Sequence, residues 1–226
     1  MAQVSVAHPV DTTRVYVTGH SYGCVMAQRV LAQASDLVAA VACFSAQHNL
    51  ANDRGVFPLT KLSIEYTPRP LMIVHGAADR TIPYVPADFP GPYFSLGAEK
   101  NLESWGGYNG CPGQVATEVP KDNYTLHEID CNGIVSALVE LHGVGHHPFY
   151  DVGGVVSGTA HYGVMVATTA PFDTTQLAWD FLKTASIVPP PSPPSSPPSA
   201  NKYCKKLKRL QKWKKQEDKW EKKCSA

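Results

Sequence analysis

Short continuous runs of β-branched, aromatic and aliphatic residues alternate along the first part of the chain with segments whose apolar positions recur at helical spacing. Residues 14–19 (RVYVTG) read as a strand and 21–34 as a helix, because small and aliphatic residues recur there three and four apart. Residues 38–45 (VAAVACFS) read as a second, buried strand. The stretch 69–76 (RPLMIVHG) is a third, and its all-apolar centre predicts burial on both faces, as in a parallel sheet. Residues 95–108, around Trp105, predict a helix. YTLHEIDC (124–131) and VSALVELHG (135–143) predict two further strands. FDTTQLAWDFLKTA (172–185) predicts a closing amphipathic helix that starts near Phe172 or Asp173. The pattern is α/β, with helices laid over a mostly parallel sheet, and no repeat of domain size interrupts it.

At Val188 the pattern ends. VPPPSPPSSPPSA (188–200) holds seven of the nineteen prolines and can form neither helix nor sheet, so an extended polyproline-type linker is expected. The segment 201–226 carries eleven Lys/Arg against three Asp/Glu, with Trp213 and Trp220 seven apart. Since the whole chain has a formal net charge of +1, residues 1–200 carry −7 against +8 in this tail. The acidic globular part therefore has no general electrostatic pull on nucleic acid. Two readings of the tail stand side by side: a solvated basic end, or a small module that holds an acidic polymer or surface through Lys charge and Trp faces. No run of 18 apolar residues predicts a membrane span, and MAQVSVAHPVDTT lacks the basic and apolar regions of a secretory signal.

Candidate chemistry begins where the first strand becomes the first helix, at Gly19-His20-Ser21-Tyr22-Gly23. A serine can stand exposed above a sheet only if the backbone turns sharply beneath it, and glycines two before and two after leave room for such a turn. The helix that follows offers free N–H groups and the positive end of its dipole to a developing oxyanion, with the Tyr22 N–H as one donor. A serine hydroxyl also needs a histidine to take its proton and a carboxylate to orient that histidine.

Asp79 fits the carboxylate because His75-Gly76-Ala77-Ala78-Asp79 follows a predicted strand directly, with Asp122, Asp130 and Asp151 as rivals. His146 fits the base because Gly143-Val144-Gly145-His146 also follows a strand, with His142, His147 and His161 as rivals. His20 flanks the serine and is a candidate cleft residue. Trp105 is a candidate substrate-binding residue, read as a core or pocket-wall aromatic ahead of a platform for a sugar ring. Six cysteines contain no close-spaced Cys/His quartet that would suggest zinc, and no cofactor motif occurs. Cys24 and Cys43, in a predicted helix and a predicted strand, read as packed thiols. Cys204 and Cys224 bracket the tail and could pair only through a helical hairpin or a partner chain.

The ordered motifs VTGHSYGCVMAQRVLAQASDLVAAVACFSA, RPLMIVHGAADRTIPY, SWGGYNGC, Cys131, GVGHHPF and FDTTQLAWDFL resemble those of secreted feruloyl esterases and polyhydroxybutyrate depolymerases, over residues 11 to about 185. The resemblance implies the carboxyl-terminal portion of an α/β-hydrolase fold. It implies Ser21 as nucleophile, Asp79 as acid, His146 as base and a Cys111–Cys131 disulfide. It also implies an ester substrate such as a cell-wall polysaccharide ester or a polyester, and an extracellular setting. Cys24 stands where the family tends to have a further glycine, and Val144 in a loop that is usually richer in glycine. Such enzymes have strands, and a loop with a second oxyanion donor, before the nucleophile strand; this chain starts only about a dozen residues ahead of it, so an esterase lacking its amino-terminal part is expected. A serine peptidase is a weaker enzymatic variant. A non-catalytic remnant, in which the linker and basic tail carry the function, is the reading from a different class.

Overall fold

The computed structural model describes residues 8–48, 50–52, 55–56, 62–88, 93–149 and 170–187. The linker 188–200, the tail 201–226 with Cys204, Trp213, Trp220 and Cys224, and two rivals for the site, Asp151 and His161, lie outside the described residues.

A six-stranded sheet organises the described chain. Its strands are β1 (Tyr16–Val17), β2 (Ala40–Phe44), β5 (Leu71–Gly76), β8 (Thr117–Pro120), β9 (Tyr124–Cys131) and β10 (Ile134–Leu141), in the order β1-β2-β5-β10-β9-β8. The first four in that order are parallel, whereas β9 pairs antiparallel with both β10 and β8. The sheet is thus mixed but mostly parallel, as expected, with β9 the one reversed strand among its six. The reversal is local: Asn132 and Gly133, between β9 and β10, both have positive φ (56° and 89°), as a two-residue hairpin turn requires. A small antiparallel sheet, which the residue pattern did not predict, joins β3 (Leu50–Asn52), β4 (Gly55–Val56), β6 (Ala87–Asp88) and β7 (Tyr93–Ser95) in the order β4-β3-β7-β6.

Helices cover both faces of the large sheet. Helix α1 (Tyr22–Gln33) buries Cys24, Val25, Ala27, Gln28, Leu31 and Ala32, a stripe at the three- and four-residue spacing of one helix face. With α2 (Ala98–Tyr108) it packs on the side of the sheet to which Val41, Cys43, Leu71, Ile73, Ile129 and Leu138 point. Helix α3 (Thr174–Leu182) packs on the opposite side, through Ala178 and Leu182 against a layer containing Ala42, Phe44, Met72, Val74 and Val139. Successive residues of β2 and β5 thus feed two cores, and all eleven of their residues are buried. This explains why both strands read as unbroken apolar runs. Asp173 caps α3, accepting the Gln176 N–H at 2.9 Å.

Two cysteine pairs tie elements together. Cys24 of α1 and Cys43 of β2 are disulfide-bonded, with Cα atoms 4.9 Å apart, which corrects the reading of both as packed thiols. A helix residue facing the sheet and a strand residue facing the helix meet across the layer, a juxtaposition that only the packing creates. Cys111, beyond α2, pairs with Cys131 at the end of β9, with Cα atoms 5.7 Å apart.

Candidate active site

Three loops at the carboxyl ends of β1, β5 and β10 meet at one place. Beyond β1 the chain keeps its pairing with β2: the Phe44 N–H donates to Gly19 O, and the Ser21 N–H donates to Phe44 O, both at 2.9 Å. Ser21 then takes φ 56° and ψ −126°, a left-handed backbone that a non-glycine residue holds only when its surroundings impose it. The conformation turns the chain straight into α1, with Ser21 at the N-cap. The Tyr22 N–H has no acceptor among the described residues, and the Tyr22 side chain is largely exposed.

Of the two glycines flanking the turn, Gly19 is the one sterically required. A Cβ there would lie 2.2 Å from Gly23 O, closer than any real contact, because the incoming strand passes directly against the first turn of α1. A Cβ on Gly23 would meet nothing within 4 Å, so the expectation that both positions are crowded is corrected.

Asp79 follows β5 and is buried. Its Oδ1 accepts the Thr81 and Ile82 N–H groups at 2.8 and 3.0 Å, and its Oδ2 accepts His146 Nδ1–H at 2.7 Å. Burial by itself would raise the carboxyl pKa. The hydrogen bonds from His146 and His75, the adjacent His146 ring and the Ile82 N–H outweigh burial and hold it well below the usual carboxylate range. His146 follows β10, and its Nε2 lies 2.9 Å from Ser21 Oγ. With Nδ1–H given to Asp79, Nε2 is left as the acceptor for the serine hydroxyl proton.

The loop bearing His146 is fastened to β5. Val144 O accepts the Ala78 N–H, and Leu141 O accepts the Ala77 N–H, each at 2.9 Å. The approach is so close that a Cβ on Gly76 would sit 2.2 Å from Val144 O and 2.4 Å from Gly145 O.

His20 donates Nε2–H to the His146 carbonyl at 2.7 Å, and its ring centroid lies 4.9 Å from that of His146 and 5.3 Å from that of Phe149. Burial lowers its pKa, against the hydrogen bond to that carbonyl. His147 packs beside both histidines, and burial lowers its pKa too. The other described rivals stand elsewhere. His142 lies just past β10, exposed and 3.0 Å from Thr125 Oγ1, Asp122 is exposed, and Asp130 accepts the Gly133 N–H of the β9–β10 hairpin. Trp105 is fully buried in the core, its indole N–H donated to Gln28 Oε1 at 2.9 Å, which agrees with the core reading and corrects its candidacy as a substrate-binding platform. A hollow of about 500 Å³ between α2 and residues 112–118 contains none of Ser21, Asp79 and His146.

His75 is the site neighbour to which the residue pattern assigned no role. Its signal was a polar ring near the end of an otherwise apolar parallel strand. It is fully buried directly behind Asp79.

No family model matches the chain. Over 142 residues, 61% of its length, the chain is 25% identical to feruloyl esterase B of Piromyces equi. The chain spans about a quarter of the length of that relative. The similarity is distant, and it points toward ester hydrolases as a class. Among the described residues no helix is long and apolar enough to cross a membrane, and no cluster of His, Cys, Asp and Glu could hold a metal ion.

Proposed function

We propose that this chain carries the reaction site of a serine ester hydrolase of α/β-hydrolase type. The observation that carries the reading is the hydrogen-bonded series Ser21 Oγ, His146 Nε2, His146 Nδ1, Asp79 Oδ2, at 2.9 and 2.7 Å, with the serine strained at the start of a helix. In this reading Ser21 Oγ attacks the ester carbonyl carbon while His146 Nε2 takes its proton. Asp79 keeps His146 in the tautomer that can accept and steadies the imidazolium that forms. The Tyr22 N–H, at the positive end of α1, donates to the oxyanion. His146 returns the proton to the departing alkoxide, the alcohol leaves, and water attacks the acyl-serine by the same route in reverse.

The distant likeness to a feruloyl esterase supports an aromatic or acetyl ester on a polysaccharide as substrate; a polyester is the other ester considered. Two disulfides support an oxidising, extracellular setting. The linker and basic tail fit a tether that keeps the hydrolase near an acidic polymer or wall surface.

The test is hydrolysis of p-nitrophenyl acetate and methyl ferulate together with labelling by a fluorophosphonate. Wild-type chain is expected to label once, at Ser21. Ser21→Ala is expected to abolish labelling and to lower turnover by several orders of magnitude. A folded wild type that neither labels nor turns over, or a Ser21→Ala variant that still labels, overturns the reading in favour of a non-catalytic protein or a different nucleophile.

A further inference from the structure

His75 stands near the end of β5 with its side chain fully buried. Its Nε2 lies 2.9 Å from Ile82 O and 3.3 Å from Asp79 Oδ2, the same oxygen that accepts from His146. Its Nδ1 has no hydrogen-bond partner among the described residues. Among the described residues only Nε2 faces acceptors, so the proton resides there and the ring acts as a donor toward the carboxylate.

A fully buried imidazole with one orphaned nitrogen is costly to place where an aliphatic side chain would continue the pattern of Leu71, Met72, Ile73 and Val74. What distinguishes the histidine from an aliphatic residue here is the N–H directed at Ile82 O and Asp79 Oδ2. Asp79 Oδ1 is already held by two backbone N–H groups, so without His75 the shared Oδ2 would, among the described residues, answer to His146 alone.

We propose that His75 is a positioning residue for the site: its buried Nε2–H locks the Asp79 carboxylate in the rotamer that meets His146 and draws off part of the charge that Oδ2 would otherwise direct at the imidazole. The role rests on the hydrolase reading of Ser21, Asp79 and His146. It adds a fourth member to that series, Ser21–His146–Asp79–His75, reaching into the sheet. Among the described residues the charged and titratable groups around it are few. Asp79 faces His75 from the following loop, and the Tyr84 ring lies 5.8 Å away, edge-on. Glu140 is the register partner of His75 on β10, and it also acts on Tyr84, as Glu99 does. His146 itself is faced by Asp79, Ser21, His20 and His147.

Removing the donor leaves more charge on Oδ2, which favours the protonated form of the His146 ring. The acid limb of the kcat/KM profile therefore moves to higher pH, a change that a purely structural role would not produce. The experiment compares full-length wild type with His75→Leu, His75→Gln and His75→Asn. It measures kcat/KM for p-nitrophenyl acetate against pH and the downfield proton resonance of His146 Nδ1–H by NMR.

His75→Leu is expected to lose roughly tenfold in kcat/KM, with the limb raised by about half a pH unit and the His146 resonance displaced. His75→Gln, whose amide nitrogen reaches the place of Nε2, is expected to restore both, whereas the shorter Asn is not. If Leu fails to fold, the Gln and Asn pair alone decides, since they differ in reach. An unmoved limb and resonance in a folded Leu or Asn variant overturns the proposal. A folded wild type without esterase activity or labelling sinks the hydrolase reading instead, and the NMR comparison then still decides whether His75 governs the Asp79–His146 contact.

Discussion

Gly76→Ala tests whether the close contact between β5 and the His146 loop is what sets the distance between His146 and Ser21. The added methyl would lie 2.2 Å from Val144 O and 2.4 Å from Gly145 O, whereas Cβ contacts under 3.0 Å essentially do not occur, so one side must retreat by about 0.8 Å or more. Strand β5 cannot be the side that moves. It is hydrogen-bonded on one edge to β2 and on the other to β10, and every one of its side chains is buried. The loop 143–146 is held by fewer bonds, among them Ala78 N–H to Val144 O, which the methyl would break or stretch.

A retreat of that size at Val144, two residues before His146, carries the 2.9 Å contact between Nε2 and Ser21 Oγ out to about 3.7 Å, beyond hydrogen-bond reach. Displacements near 1 Å at a reacting group cost about 10² in rate, equivalent to roughly 2.7 kcal/mol of barrier. The assay is kcat/KM on p-nitrophenyl acetate, normalised to active sites by fluorophosphonate titration, with thermal unfolding followed in parallel. A folded Gly76→Ala variant with kcat/KM within twofold of wild type would show that the contact does not control the catalytic geometry.

His48 and the disulfides give further tests. His48 is almost fully buried, and burial lowers its pKa from 6.5 to about 4, against a hydrogen bond to Asn101. Between those values the unfolded chain binds a proton that the folded chain refuses, so stability falls as pH is lowered through that window, by about 3 kcal/mol in all. Urea unfolding at pH 7 and pH 4 measures the drop; His48→Gln should flatten it, and an equally steep variant would refute the assignment. Each disulfide closes a loop of about 20 residues and is expected to contribute roughly 3 kcal/mol in the chain-entropy model. Non-reducing peptide mapping should recover the Cys24–Cys43 and Cys111–Cys131 cross-links from secreted material, with a lowered melting temperature after reduction. Recovery of these four cysteines as free thiols would sink both pairings.

Local chemistry in the sequence was enough for the elements that face two cores or cap a helix. The unbroken apolar run at 71–74 could only be an interior strand, and Asp173 could serve as a cap because its oxygen reaches an N–H three residues ahead. The turn at Ser21 was legible for the same reason, since a glycine two residues earlier removes the one side chain that would collide with the first turn of α1. Strand direction was less so: the Asn132-Gly133 turn that makes β9 and β10 antiparallel is a two-residue signal, easily lost between two longer apolar runs.

Relations between residues far apart in the chain belong to the tertiary structure. Ser21, Asp79 and His146 each follow a strand, which singled them out; that β1, β2, β5 and β10 lie side by side and parallel, so that three loops open on one end, is a property of the assembled sheet. The Cys24–Cys43 bond likewise arises because α1 lies across β2, and no spacing rule links a helix position to a strand position. His75 shows the same limit in one residue. From its type and place it is a polar interruption of a buried strand, and only the turn at 79–82, folding Asp79 and Ile82 O back over it, supplies the two acceptors that give its N–H a role.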